Sequence, residues 1–241
     1  MKRFYKTVSV ESTEAGHVVA LDGRIVKTPA RETLAMPTKA LAEAVAAEWD
    51  AQADEVKPDT MPVTKLANTV QDRVAPRHDE VVAEVANYAG TDLLCYRADD
   101  PAELAALQAK AWDPYLDWLA EEEGIRLKVT DGIMPIAQDK AALDAITAIV
   151  KAHDPYELTA LHAFTTGLGS LILGLALMRG FTDFDTIWRA SLVDAEHQEE
   201  KWGTDWEAEE KRDLLRADME AAIAFLSHMR NKSLESPAKA G

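Results

Sequence analysis

His17-Val-Val-Ala-Leu21-Asp22-Gly23-Arg24-Ile-Val-Lys27-Thr28 is the stretch on which the fold turns. Two apolar, β-branched runs flank an Asp-Gly pair. Glycine supplies the positive φ that a tight primed turn needs, so the spacing predicts a hairpin of strands 17–21 and 24–28, stopped by Pro29. Toward the N-terminus, Arg3 to Val10 is aromatic and β-branched with rough alternation and reads as a preceding strand, with Glu14-Ala-Gly16 as its turn. On the other side, Thr33 to Met36 reads as a further short strand. The chain therefore opens with an antiparallel meander.

At Pro37 the apolar period changes. Thr38 suits an N-cap, and Leu41, Ala42, Val45, Ala46 and Trp49 recur at spacings of three and four, which predicts an amphipathic helix over 38–53. Pro58 and Pro62 enforce an extended link, and Lys65 to Arg73 reads as a helix ending before Pro76. Helical periods follow over 77–90, 101–123, 139–152, 155–180, 183–206 and 207–230. One extended insert, Arg126 to Thr130, ends at Asp131-Gly132. The tail, 231–241, is polar without an apolar period and is expected to be disordered. The fold class expected is α+β, with a small β-rich N-terminal domain over 1–75 and a helical C-terminal domain over 76–230.

The chain has 241 residues, 47% hydrophobic and 28% charged, which suits a soluble globular protein with a substantial core. Its formal net charge is −16, unevenly placed. Residues 1–70 hold nine Lys/Arg against ten Asp/Glu, so of the totals of 26 and 42 the remainder of the chain carries 17 against 32. Nucleic acid and anionic membranes are poor partners for such a field, whereas a basic surface is a compatible one. The single cysteine, Cys95, permits no intrachain disulfide and sits among apolar neighbours as a buried structural thiol. The start shows no apolar signal core, and the longest apolar run, Leu168 to Met178, is about half the ~20 residues a spanning helix needs. The expected place of action is the cytoplasm.

No catalytic constellation emerges from the motifs. Thr166-Gly167-Leu-Gly169-Ser170 imitates a phosphate loop but follows a helical stretch rather than a strand, so Gly167, Gly169, Ser170 and Gly174 read as small residues for close helix packing. His162 reads as a core or rim histidine. Asp194-x-x-His197 has the spacing of a di-iron motif but lacks the second copy such sites need. There is no G-x-S-x-G elbow. No catalytic residue, cofactor, metal or small-molecule substrate is expected. The alternatives left open are a carboxylate-dependent enzyme, with or without a metal, whose acids meet only in the fold, and a general acidic adaptor for basic proteins.

Ser191 to Lys211 is acidic and punctuated by tryptophan. On one helical wheel Trp188, Leu192, Ala195, Trp202 and Trp206 form a stripe, which reads Trp202 and Trp206 as core anchors beneath a solvated acidic face. Glu199 falls inside the stripe and must snorkel, pair with a cation, or mark where the stripe leaves the core. Glu196 and Gln198 flank it on opposite sides, where a side chain is both held and reachable. Gly203 predicts a break before the last helix.

Taken in order, Phe4-Tyr-Lys6, Leu21-Asp-Gly-Arg24-x-Val-Lys27-Thr-Pro29, Glu48-Trp49-Asp50-x-Gln52, Met61-Pro62-x-Thr64, Asp92-Leu-Leu-Cys-Tyr-Arg97, Gly169-Ser170-Leu171 and Glu196-x-Gln198-x-x-x-Trp202-Gly203 resemble the ATP12 family of F1-ATPase assembly chaperones. The resemblance runs from about residue 3 to about residue 230 and is similar to a bacterial member, with the first motif starting at Phe4. It implies a β-rich N-terminal domain before a helical one, and no reaction. It also implies that the partner is the free α subunit of F1, bound until the β subunit replaces the chaperone. Glu196 matches the glutamate of the C-terminal motif and is expected at the partner contact, with Gln198 as a lesser candidate. Trp49, Asp50, Trp202 and Gly203 are expected in structural or interdomain roles.

Overall fold

In a computed structural model of the chain, residues 1–132, 134–203 and 205–230 are described. Strands β1 (Val8–Thr13) and β2 (Gly16–Leu21) pair antiparallel, with Val8 opposite Leu21 and Thr13 opposite Gly16. The other edge of β2 is divided: Ala20 and Leu21 face β3 (Arg24–Ile25), and His17 and Val18 face β4 (Ala35–Met36). Gly16 is demanded by this crowding. Its φ is +127°, and a Cβ there would lie 2.6 Å from the Met36 carbonyl oxygen. Asp22 at the hairpin turn accepts hydrogen bonds from the Lys6 and Thr7 backbone N–H groups at 3.1 and 2.8 Å. These bonds hold the carboxyl below its ordinary value. The first strand starts later than its composition suggests, because Tyr5 instead turns inward and donates its hydroxyl to the Trp49 carbonyl at 2.6 Å.

Val18, Val19 and Ala20 of β2 are fully buried. They pack with α1 (Lys39–Asp50), which buries Leu41, Ala42 and Val45 on the face its period predicts. Thr38 caps α1 as expected, its Oγ accepting from the Leu41 N–H at 3.2 Å. Helix α2 (Pro62–Thr69) continues into a π-type turn over Val70–Val74. The remaining elements are α3 (His78–Asn87), β5 (Tyr96–Arg97), α4 (Ala102–Glu122), β6 (Thr130–Asp131, parallel to β5), α5 (Lys140–Lys151), α6 (Pro155–Leu168), α7 (Leu171–Arg179), α8 (Phe184–Ser191), α9 (Val193–Trp202) and α10 (Trp206–Arg230). The four-stranded sheet comes first and helices, with one short parallel pair of strands among them, follow, so the class is α+β. No helix among the described residues is long and apolar enough to cross a membrane.

Two single helices expected from the sequence are broken. The 155–180 segment divides because Gly169 adopts φ +68° and Ser170 caps α7, its Oγ accepting from the Leu173 N–H at 3.1 Å. Gly174 does serve close packing, since a Cβ there would lie 3.2–3.4 Å from Thr165, Leu161 and Phe164. Every residue from Leu171 to Met178 is buried, so α7 is a core helix on all sides. The 183–206 segment breaks at Leu192 (φ −103°, ψ 2°) and again at Gly203 (φ +86°).

The chain forms two compact units. The first comprises Met1–His78, Asp154–Ala160 and, of the last helix, residues 217–230; the second comprises Asp79–His153 and Leu161–Arg216. Within the first unit Thr38 Oγ donates to the His228 carbonyl at 2.8 Å, and the Tyr156 hydroxyl donates to the Ala35 carbonyl at 2.9 Å. The Tyr156 ring stacks on Phe225 at 6.0 Å. The tail expected to be disordered, 231–241, lies outside the described residues.

Candidate functional site

Helix α9 carries the two residues singled out for partner contact, and the second unit holds this helix at both ends. Trp112 of α4 donates its Nε1–H to the Ala190 carbonyl at 2.7 Å, fixing the last turn of α8. Gln108, one turn earlier in α4 and buried, donates to Asp194 Oδ1 at 2.6 Å and accepts from the Ala98 N–H at 2.7 Å. At the far end Glu199 takes both guanidinium nitrogens of Arg212 in α10, the longer contact being 3.1 Å. That fork keeps the Glu199 carboxyl below and the Arg212 guanidinium above their ordinary values. Of the readings open for Glu199, pairing with a cation is the one found.

With those ends fixed, each side of α9 has a distinct task. His197 faces inward and is buried, and its Nε2 has no hydrogen-bond partner among the described residues. Glu196 and Glu200 are exposed on the rim of a groove of about 530 Å³ whose walls include Leu107, Pro114, Tyr115 and Phe181. Pro114 lies inside α4 on the groove wall and has no N–H to give the Lys110 carbonyl. Gln198 and Trp202, four residues apart on the same outward face, are both exposed.

The core-anchor reading of Trp202 and Trp206 does not hold: they are 78% and 70% exposed. The wheel assumed one continuous helix from Trp188 to Trp206. The breaks at Leu192 and Gly203 each reset the phase, so only Trp188 faces the core, at 5% exposed. Gly203 itself behaves as expected. It ends α9 in a positive-φ conformation, and Asp205 then accepts from the Glu207 N–H at 3.0 Å at the start of α10.

Trp49 and Asp50 lie in the first unit. Trp49 is half-buried, meets the Tyr5 ring edge-on at 5.7 Å, and lines a cavity of about 670 Å³ together with Met1, Val56 and Met61. Asp50 is exposed and pairs with Arg3 at 3.4 Å. Their neighbours in the same motif have larger tasks that the sequence did not disclose. The Glu48 carboxylate accepts from the Val63 and Thr64 N–H groups and the Thr64 hydroxyl, at 2.8, 2.7 and 2.6 Å, and so caps α2. Gln52 accepts from the Lys57 N–H and donates to Thr60 Oγ and the Glu48 carbonyl, holding the link between the two helices. The signal available was that Glu48, in the last turn of α1, and Gln52, just past its end, are four residues apart with proline-rich chain ahead.

Another carboxylate acts alike in the second unit. Asp92 is fully buried and accepts from Ser170 Oγ at 2.7 Å, the Leu94 N–H at 3.1 Å and the Ile172 N–H at 3.2 Å. Burial outweighs these bonds and pushes its carboxyl up to about 6. Burial, with the Asp92 charge beside it, pushes the Cys95 thiol up to about 12, so this cysteine is not a nucleophile at neutral pH. His162 sits at a rim, its Nε2 3.2 Å from Glu84. Asp194 is engaged by Gln108, and among the described residues no cluster of His, Cys, Asp and Glu could hold a metal ion. The arrangement offers a braced, acidic, partly apolar surface.

The model of a family described as the ATP12 chaperone protein matches residues 2–120. The chain is 43% identical to Atp12 from Paracoccus denitrificans, whose crystal structure matches with a TM-score of 0.91 over 95% of this chain and 98% of that one. A candidate chaperone from Agrobacterium tumefaciens is 39% identical, with a TM-score of 0.90 over 97% of this chain and 86% of that one. The mitochondrial atp12 protein of Schizosaccharomyces pombe is 22% identical over 215 residues, 84% of this chain and 74% of that protein.

Proposed function

The chain belongs to the ATP12 family of chaperone proteins, assembly factors for ATP synthase, and we propose that its client is the free α subunit of the F1 sector. An unassembled α subunit exposes the surface meant for β, and such surfaces aggregate. A protein that covers this surface and is displaced by β prevents that without catalysis. It need only bind α more weakly than the assembled ring does.

The observation that carries the reading is Glu196: an exposed carboxylate on the rim of an apolar-walled groove, on a helix braced at both ends. Bracing lowers the ordering cost of binding, which otherwise subtracts from affinity. Gln198, on the outward face of the same helix, is the lesser candidate. The test is capture of purified F1 α and β, offered separately, by the immobilised chain. The expected result is retention of α and not β. Equal retention of both, or of neither, overturns the assignment. The net charge of −16 favours one rival, an adaptor that holds basic proteins by charge alone. Capture by charge alone collapses at roughly 1 M salt, where the screening length is only about 3 Å, whereas an interface with apolar anchors persists in part.

A further inference from the structure

We propose that Trp202 and Trp206 are the apolar anchors of the client interface, and that they seat in an apolar depression of the captured subunit rimmed by lysine and arginine. This rests on the reading of the chain as a chaperone of the free α subunit and names the surface and the chemistry it meets. The two indoles are 78% and 70% exposed, and Leu214 of α10 is 64% exposed. A tryptophan side chain offers roughly 150–250 Å² for burial, and tryptophan is the residue most enriched among those that dominate binding energy. A protein folding for its own stability has nothing to gain by presenting two of them to water.

Their setting is held. The Gly203 N–H bonds the Glu199 carbonyl at 2.8 Å, Asp205 caps α10, and the Glu199–Arg212 pair ties α9 to α10 across the corner. Trp202 shares the outward face of α9 with Gln198. It lies six residues beyond Glu196, about 9 Å along the helix axis and roughly 120° around it, so the indole stands beside the groove rim that carries Glu196 rather than on the same face.

The surroundings select the occupant. Between Asp194 and Asp213 there are nine Asp/Glu against Lys201, Lys211 and Arg212, and Arg212 is taken by Glu199. A second copy of this chain would bring the same acidic ring and be repelled, and an anionic membrane likewise. An apolar depression ringed by cations satisfies both the indoles and the acids around them.

The experiment uses the full chain with Trp202→Ser, Trp206→Ser, the double variant, and Trp202→Phe/Trp206→Phe, each offered purified F1 α at low salt and at roughly 1 M salt. The double serine variant should keep the wild-type circular dichroism and melt within about 2 °C of wild type, as exposed substitutions do. It should bind α at least ~30-fold more weakly, and the phenylalanine variant should recover most of the loss. Wild type should retain part of its capture at high salt. Undiminished capture by the double serine variant overturns the anchor assignment while leaving the client intact, as does complete loss of wild-type capture at high salt. Loss of fold in the double variant also overturns it, because the indoles would then serve the core. If wild type captures no α at all, the client reading fails and takes this inference with it.

Discussion

Replacing Asp92 by asparagine should abolish one component of the pH dependence of stability. The carboxyl is fully buried and its folded-state value is about 6, against an ordinary 3.8. A carboxyl raised on folding contributes stability below its unfolded value and loses that contribution as pH rises through the folded value. For these two numbers, the linkage relation gives a wild-type gain of about 1 kcal/mol on going from pH 7 to pH 5, because the folded form takes up the proton and the unfolded chain barely does. The amide of the Asp92→Asn variant cannot titrate, so the difference between the two proteins should widen by that amount in favour of wild type. Other carboxylates and histidines titrate in both proteins and cancel in the difference. Urea unfolding at the two pH values is the assay, and the relative shift in midpoint should be a few tenths of a molar for a slope near the upper end of the usual range. Parallel behaviour of the two proteins between pH 7 and pH 5 would refute the reasoning: it would mean that the Ser170, Leu94 and Ile172 donors hold the charge as well as water does.

Three further outcomes bear on the site and its support. Glu196→Lys should leave circular dichroism and melting unchanged, since the side chain is exposed, yet abolish capture of the F1 α subunit in co-purification. Glu48→Ala should lower stability by about 2 kcal/mol in urea unfolding, because three donors at the start of α2 lose their acceptor. Trp49→Ala should also cost about 2 kcal/mol, below the ~3 of a fully buried ring, because the indole is only half-buried; an unchanged melting curve would show that its contact with Tyr5 contributes nothing.

Local signals were legible wherever they were sufficient. Asp22-Gly23 marked its hairpin, Thr38 marked its cap, and the spacing of Leu41, Ala42 and Val45 named the buried face of α1. The starts expected at 101, 139 and 155 fall within a residue of those of α4, α5 and α6, although α6 ends at Leu168, twelve residues before the 180 expected. The break at Leu192 was not legible, because neither glycine nor proline announces it. Tertiary bonds from α4 to Ala190 and Asp194 hold the chain on either side of it. That unmarked break, together with the marked one at Gly203, turned Trp202 and Trp206 from a supposed core stripe into exposed surface. Glu196 and Gln198 are exposed, but on either side of the buried His197 rather than of the stripe the wheel drew. The tasks of Glu48 and Asp92 were illegible for another reason: apart from the Leu94 N–H beside Asp92, their partners lie 15 to 80 residues away, beyond any periodicity.

The first unit is assembled from the two ends of the chain, and this constrains the order in which it can be made. The bond from Thr38 to His228 closes a separation of 190 residues, and that from Tyr156 to Ala35 a separation of 121. A ribosome that has released the meander and α1 has not yet supplied the last strip of their covering. Closing such distant contacts is slow, because the chain entropy is spent before any contact is made. The opening lobe therefore completes only once residues 217–230 have been made, and a nascent chain or one clipped before them carries an unfinished N-terminal lobe.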